Sequence, residues 1–319
     1  MHKKDLILEL FPHCNMNCSF CMQSKLSRYK NYGNRRYLNE DRKFHLIKKA
    51  TNVIVENNIP AKTIELWGGE IFYDTREDYV SLMLDLIKKA NIREIEVTTN
   101  LVYDLKTNPL IQMFNSVLDR FSLCISYDPL GRFNDKEFKL FDNNVKILLD
   151  TYLDNSKNIE FEAVLQEEVL LKKVNLDYLK FLNKYFSLLF ILDYRGYSEE
   201  TKRNFPEIFY NFMKDFESST FVSNILSNNS GKICCLNGTR ILSYVDNFKL
   251  NPQYTSCITH ESFVNDYTEL RSVYKCECCE YETVCSEMCP SVIKQIGLLR
   301  QDIPCYIKYF RNKMRINHE

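Results

Sequence analysis

The chain has 319 residues, 45% hydrophobic and 26% charged, with 42 Lys and Arg set against 42 Asp and Glu. This size and balance allow one large domain, or a medium domain with an appendage, and exclude a globally disordered chain. The zero net charge also argues against a strongly basic nucleic-acid binder, so nucleic acid is not an expected partner.

No apolar run approaches transmembrane length, and the stretch after Met1-His2-Lys3-Lys4-Asp5 is too short and too acidic for a signal peptide. A membrane is therefore not an expected partner, and a cytoplasmic location is expected. In a reducing cytosol an odd set of 13 cysteines points to metal binding rather than to disulfides.

Strand and helix signals alternate from the start. Residues 5–10 read as a mostly buried strand, followed directly by cysteines. Leu46, Ile47, Ala50, Val53 and Ile54 fall at helical spacing within 42–58. Pro60 punctuates, residues 63–67 form the next strand, and Gly68-Gly69-Glu70 follows it. Val80, Met83, Leu84 and Ile87 mark a second helix. A third strand at 94–97 leads into Thr98-Thr99-Asn100. Pro109 begins a short helix over 109–118, and a fourth strand at 121–125 leads into Ser126-Tyr127-Asp128-Pro129. A long helix over 134–153, a strand at 159–165, a helix near 174–186 and a strand at 188–192 complete the series.

Six strand–helix units in succession predict an α/β fold with a parallel sheet and external helices. A doubly wound sheet and a partial barrel both satisfy that pattern. The polar motifs all lie just after strands, as in barrel enzymes whose sites are built at the C-terminal rim, and this favours the barrel.

Past about residue 205 the alternation ends. A helix near 205–217 leads into polar sequence, 218–230, read as a linker. Beyond it Cys234, Cys235, Cys257, Cys276, Cys278, Cys279, Cys285, Cys289 and Cys305 make up nine of the 13 cysteines. The expected organisation is a core over 1–217 and a small cysteine-rich domain over 218–319, held together by metal more than by its own apolar core.

The first cysteine group is Cys14-Asn15-Met16-Asn17-Cys18-Ser19-Phe20-Cys21. Three thiols separated by three and two residues suit a [4Fe–4S] cluster held by three thiolates, leaving one iron for a small molecule to chelate. A zinc knuckle with His13 as substitute ligand is the other reading of the same residues. With Phe20 before the last cysteine, the group resembles the signature of the radical S-adenosylmethionine (SAM) enzymes.

That resemblance implies a (β/α)6 partial TIM barrel, in agreement with the strand count. It also implies that Cys14, Cys18 and Cys21 hold a SAM-binding [4Fe–4S] cluster, with Phe20 beside the SAM. By the same resemblance Gly68, Gly69 and Glu70 match a Gly-Gly-Glu-Pro motif that contacts the SAM amino group, with Ile71 in place of the proline. Glycine permits close approach of backbone to ligand, and a carboxylate or carbonyl accepts from an ammonium. Thr98, Thr99, Asn100, Ser126 and Asp128 offer groups suited to the ribose and carboxylate of SAM, although capping of the following helices explains any single one of them equally well. Gln166 and Arg195 end later strands and are weaker candidates; Cys124, in an apolar strand, reads as a small buried hydrophobe.

Cys276-x2-Cys279-x5-Cys285-x3-Cys289 matches the centre of the SPASM extension found on many radical SAM enzymes. The resemblance assigns Cys276, Cys279, Cys285 and Cys305 to one auxiliary [4Fe–4S] cluster. Cys289 would cross to a second with Cys257 and one or both of Cys234 and Cys235. Pro252, where glycine is usual, and the long Cys235-to-Cys257 gap depart from the pattern, so one or two auxiliary clusters are expected. Cys278 is a spare thiol, and a structural zinc site is the competing reading of this domain.

The resemblance implies reductive cleavage of SAM to methionine and a 5′-deoxyadenosyl radical, which abstracts hydrogen from a substrate. SPASM domains mostly accompany modification of peptides or proteins, so a peptide or protein substrate is expected, oxidised or cross-linked, with a flavodoxin or ferredoxin as electron donor. The sequence opens on the first strand, so leader recognition is expected from another protein or from the barrel surface. A radical SAM enzyme acting on a small metabolite or nucleoside is the alternative. A zinc-stabilised binding module is the alternative of another class.

Overall fold

A computed structural model describes residues 5–16, 18, 21, 40–130, 132–152, 158–193, 195–226, 240–243, 248, 268–276, 279 and 290–318. The six expected strands are present: β1 (Leu6–Glu9), β2 (Thr63–Trp67), β3 (Glu94–Thr99), β4 (Arg120–Tyr127), β5 (Ile159–Leu165) and β6 (Ser187–Leu192). Between them run the helices α1 (Glu40–Glu56), α2 (Glu77–Lys89), α3 (Pro109–Val117), α4 (Asp135–Tyr152), α5 (Glu167–Leu170) and α6 (Asp177–Tyr185). At α3, Pro109 opens the helix and the Asn108 side chain accepts from Leu110 N at 3.1 Å and Ile111 N at 3.3 Å.

All neighbouring strands are parallel, in the order β6-β5-β4-β3-β2-β1-β7. From β1 to β6 the order never reverses, whereas a doubly wound sheet reverses at a switch point. Successive crossovers of one hand therefore stack their helices on one side, and the sheet wraps into a barrel-like half-shell. Strands β3 and β4 run further than the apolar pattern indicates: parallel pairing to their neighbours takes in Thr98, Thr99, Ser126 and Tyr127, which the sequence places in loops.

The seventh strand, β7 (Arg240–Ser243), pairs with β1 in the register Leu6 to Arg240 and Glu9 to Ser243. Sequence patterning does not find it, because four residues beside a cysteine field carry too little periodicity. The polar stretch 218–230 also differs from the expected linker. Within it lies α9 (Thr220–Leu226), which buries Phe221, Val222 and Ile225. Before it come α7 (Glu199–Arg203) and α8 (Phe205–Met213); the chain closes with α10 (Pro290–Gln295) and α11 (Tyr306–His318).

The outer face of the sheet is the core. Phe190 meets the rings of Phe212, Phe216 and Phe221, and Phe161 meets Phe141 and Phe186. Ile64, Leu66, Ile95, Val97, Ile125 and Leu188 alternate onto the same side, each 1% exposed or less. Among the described residues, no helix is long and apolar enough to cross a membrane.

The opposite face carries Glu65, Glu96, Glu160 and Glu162. Register aligns Glu65 with Glu96, Cys124 with Glu160 and Ser126 with Glu162. Cys124 is buried, as its apolar neighbours suggest, yet it sits on this acid-lined side and bonds to Glu162. Burial, then the nearby Glu160, push the Glu162 carboxyl up from 4.5 to about 7.

The unfolded chain loses this proton near pH 4.5 and the folded chain only near pH 7. Stability therefore falls as pH rises through that window, and the full cost applies above it. Glu162→Gln removes that cost and should stabilise the protein by about 1–3 kcal/mol at high pH. Melting temperatures compared at pH 5.5 and 8.5 check this. A gain no larger at 8.5 than at 5.5 would show that Glu162 is not held protonated.

Candidate SAM and iron–sulfur site

The loop that carries the first cysteines is a continuation of β1 alongside β2. Leu10 N donates to Trp67 O at 3.3 Å, Gly69 N to Phe11 O at 2.7 Å, and Glu70 N to His13 O at 2.7 Å. Strand pairing thus runs past both strand ends and delivers Cys14 to the Gly68-Gly69-Glu70 turn. Each glycine has its own reason. Gly68 has a φ of 126°, a left-handed value that side chains rarely adopt. At Gly69 an added Cβ would lie 1.9 Å from His13 O. The close approach that Gly69 allows is therefore between two stretches of this chain, not the approach of backbone to ligand that the Gly-Gly-Glu motif suggests.

Glu70 is 1% exposed, and its carboxylate ties two segments together. It accepts from Phe72 N at 3.2 Å, from Thr99 Oγ1 at 3.0 Å and from Asn100 N at 2.6 Å. Burial pushes this carboxyl up to about 7 against those hydrogen bonds. The ends of β2 and β3 are in this way locked to each other directly behind the cysteine loop.

Cys14 Sγ receives two donors, Met16 N at 3.4 Å and Asn100 Nδ2 at 3.6 Å. Cys21 N donates to Cys18 O at 3.2 Å, a turn that brings the second and third cysteines round together. Burial, then Glu70, push the Cys14 thiol up to about 12, and burial raises Cys18 as well. The charge of Arg132 opposes both shifts, and its guanidinium also bonds to Cys18. A metal binds the thiolate form, so loading a metal centre here would displace these protons. A donor set of three thiols, with N–H groups and a guanidinium facing the sulfurs, fits an iron–sulfur cluster.

Arg132 and Asn15 were not singled out by the sequence. Arg132 Nη1 donates to Ser126 O at 3.0 Å, which turns the side chain back over the end of β4. Asn15 looks like a spacer within the cysteine motif, but its Nδ2 donates to Val102 O at 2.6 Å and joins the cysteine loop to the segment after β3.

The other expected residues gather at the same rim. Thr98 and Ser126 are the late, inward-facing residues of β3 and β4, on the side of Cys124 and Glu162. Asp128 Oδ1 accepts from Leu130 N at 2.9 Å and from Gln166 Nε2 at 2.6 Å. Burial raises the Asp128 carboxyl, while those bonds and the charges of Arg132 and Arg195 hold it down. Arg195 itself forms a fork with Asp193 at 2.6 Å. Phe20 lies outside the described residues.

Of the C-terminal cysteines, Cys276, Cys279 and Cys305 are described. Cys279 N donates to Cys276 O at 2.9 Å, and Cys305 and Cys276 both act on the half-buried Tyr274, whose hydroxyl is raised by burial and then by these two thiols. Cys276 and Cys305, 29 residues apart in the chain, therefore both lie in the neighbourhood of Tyr274. Cys234, Cys235, Cys257, Cys278, Cys285 and Cys289 lie outside the described residues.

Comparison with solved structures places this fold in a known class. The structure described as native anSMEcpe with bound AdoMet and Cp18Cys peptide matches at a TM-score of 0.56 and 12% identity, over 97% of this chain and 94% of that one. Native anSMEcpe with bound AdoMet matches at 0.58 and 14% identity, with the same coverage. The chain shares the parallel α/β fold of these AdoMet-bound structures. No protein-family model matches the chain, and no curated protein matches it.

Proposed function

We propose that the protein is a radical SAM enzyme whose first cluster sits on Cys14, Cys18 and Cys21 and whose substrate is a peptide or protein. The observation that carries the reading is the cysteine loop, paired to the Gly68-Gly69-Glu70 turn at the C-terminal rim of the sheet, with donors aimed at the Cys14 sulfur. The shared fold with AdoMet-bound and peptide-bound anSMEcpe supports it. When bound, the cluster and SAM together supply a 5′-deoxyadenosyl radical for hydrogen abstraction.

This chain's own residues hold and orient the ligand. The thiolates of Cys14, Cys18 and Cys21 take the cluster. Arg132, at the end of β4 and beside Cys18, is the cation suited to the SAM carboxylate. Phe20, Thr98, Ser126 and Asp128 serve the adenosyl part, and the Gly68-Gly69 backbone faces the amino group. Glu70 fixes that turn, with its own oxygens spent on Phe72, Thr99 and Asn100.

In the C-terminal third, Cys276, Cys279, Cys285 and Cys305 take one auxiliary cluster, and Cys235, Cys257 and Cys289 serve a second. Residues 1–217 are then the SAM-binding core and 218–319 the auxiliary-cluster domain. A flavodoxin or ferredoxin supplies the electron, and the enzyme works in the cytoplasm.

Anaerobic purification and reductive SAM cleavage test the assignment. Brown protein containing sulfide, and forming 5′-deoxyadenosine with a strong reductant, is expected; colourless protein with stoichiometric zinc would identify a binding module instead. Replacing Cys14, Cys18 and Cys21 together with Ala should abolish cleavage and leave the C-terminal iron in place. Cleavage that survives the triple substitution would place the SAM site elsewhere.

A further inference from the structure

We infer that Asn100 is a positioning residue that raises the reduction potential of the cluster on Cys14; this rests on the cluster reading above. The Asn100 side chain is 2% exposed, and protein groups fix its orientation. Its Oδ1 accepts from Val102 N at 2.8 Å, so the amide cannot be turned round without losing that bond. The NH2 end consequently faces the cysteine loop, and donates to Asn15 Oδ1 at 2.7 Å and to Cys14 Sγ at 3.6 Å.

Asn15 is oriented by the same residue, because its Nδ2 donates to Val102 O at 2.6 Å. The two amides and the N–H and C=O of Val102 form a closed set. A second bond from below, Asn100 N to Glu70 Oε2 at 2.6 Å, holds the Asn100 backbone. Both N–H groups of the side chain are thus committed to the cysteine loop.

A donor aimed at a ligating sulfur stabilises the cluster more in its electron-rich, reduced form. Such bonds to charged acceptors are among the stronger ones, and burial magnifies them. Removing this one should make reduction harder. The carboxylate in Asn100→Asp keeps the volume and places negative charge where a donor was, so its effect should be the larger.

The experiment is an EPR-monitored redox titration of the full chain, reconstituted anaerobically, without SAM. The relevant signal is the one missing from the Cys14/Cys18/Cys21→Ala variant. In Asn100→Ala and Asn100→Asp the midpoint should fall, with the reduction equilibrium for Asp displaced about tenfold, or about 59 mV for one electron. The change that added SAM causes in the signal should still occur at the wild-type SAM concentration.

An unmoved midpoint in both variants overturns the inference, as does loss of iron from this site in both, which would make Asn100 a structural clamp. A weaker response to SAM with an unmoved midpoint would make it a SAM contact. If the wild-type protein gives no signal that depends on these cysteines, the cluster reading itself fails, and that outcome is distinct from the others.

Discussion

Gly69→Ala should strip most of the iron from Cys14, Cys18 and Cys21 while leaving iron at the C-terminal cysteines. The new methyl carbon would sit 1.9 Å from His13 O, 2.6 Å from His13 C and 2.9 Å from His13 N, all backbone atoms that cannot rotate away. Relief requires the turn after β2 and the cysteine loop to part. That breaks the bonds from Gly69 N to Phe11 O and from Glu70 N to His13 O, each 2.7 Å in the native protein. His13 is covalently joined to Cys14, so the first ligand moves with it.

The cost should be well above the ~1 kcal/mol of an ordinary substitution, because strain and two lost backbone bonds act together. Iron per chain and the EPR signal of the reduced protein measure the outcome, with the melting temperature as a second readout. A variant with wild-type iron and wild-type melting would mean that the two loops are not in contact. A bulkier Gly69→Val should be at least as severe. In either variant, weakened SAM binding would follow from the displaced loop and would not by itself report a contact between Gly69 and SAM.

Much of this arrangement could be read from residue order. The strands Thr63–Trp67 and Ile159–Leu165 were legible because apolar residues on every second position must face the helices. The cysteine spacing, the Gly-Gly-Glu turn and their place after successive strands were legible for the same reason: parallel strands put all their C-terminal ends on one rim. Residues whose roles depend on reach were not legible. Arg132 acts on Cys18 by folding back across the end of β4, and no periodicity records that. Asn15 matters through a bond to Val102 O, 87 residues away.

The carboxylates of Glu65, Glu96, Glu160 and Glu162 alternate as solvent-facing residues do. Only the wrapping of the sheet turns that face inward, and with it Cys124. In the C-terminal third, cysteine spacing dominates the pattern. It hides both β7 and the apolar face of α9, whose Phe221, Val222 and Ile225 are interrupted by Ser and Asn.

Phe209→Ala should lower the stability of the whole chain and, with it, the metal content of the proposed auxiliary site. Phe209 is fully buried in α8 and meets the rings of Phe205, Phe221, Tyr306 and Phe310. Two of these partners belong to α11, so the ring is a main joint between the last helix of the chain and the helices under β6. Truncation of such a residue costs about 3–5 kcal/mol, from lost transfer energy and the cavity left behind.

The same joint bears on the metal, because Cys305 immediately precedes Tyr306, the first residue of α11. A loosened α11 should therefore lower iron at the proposed site of Cys276, Cys279, Cys285 and Cys305, whereas the cluster on Cys14, Cys18 and Cys21 should remain and still respond to SAM. The reverse experiment uses Cys305→Ala: if the joint transmits in both directions, losing the auxiliary metal should lower the melting temperature of the whole chain instead of producing a separate low transition. The strand β7, paired to β1 at the opposite edge of the sheet, adds a second link that acts in the same sense. Full auxiliary iron in Phe209→Ala, or two well-separated melting transitions in Cys305→Ala, would show that the cysteine-rich segment stands independently of the barrel.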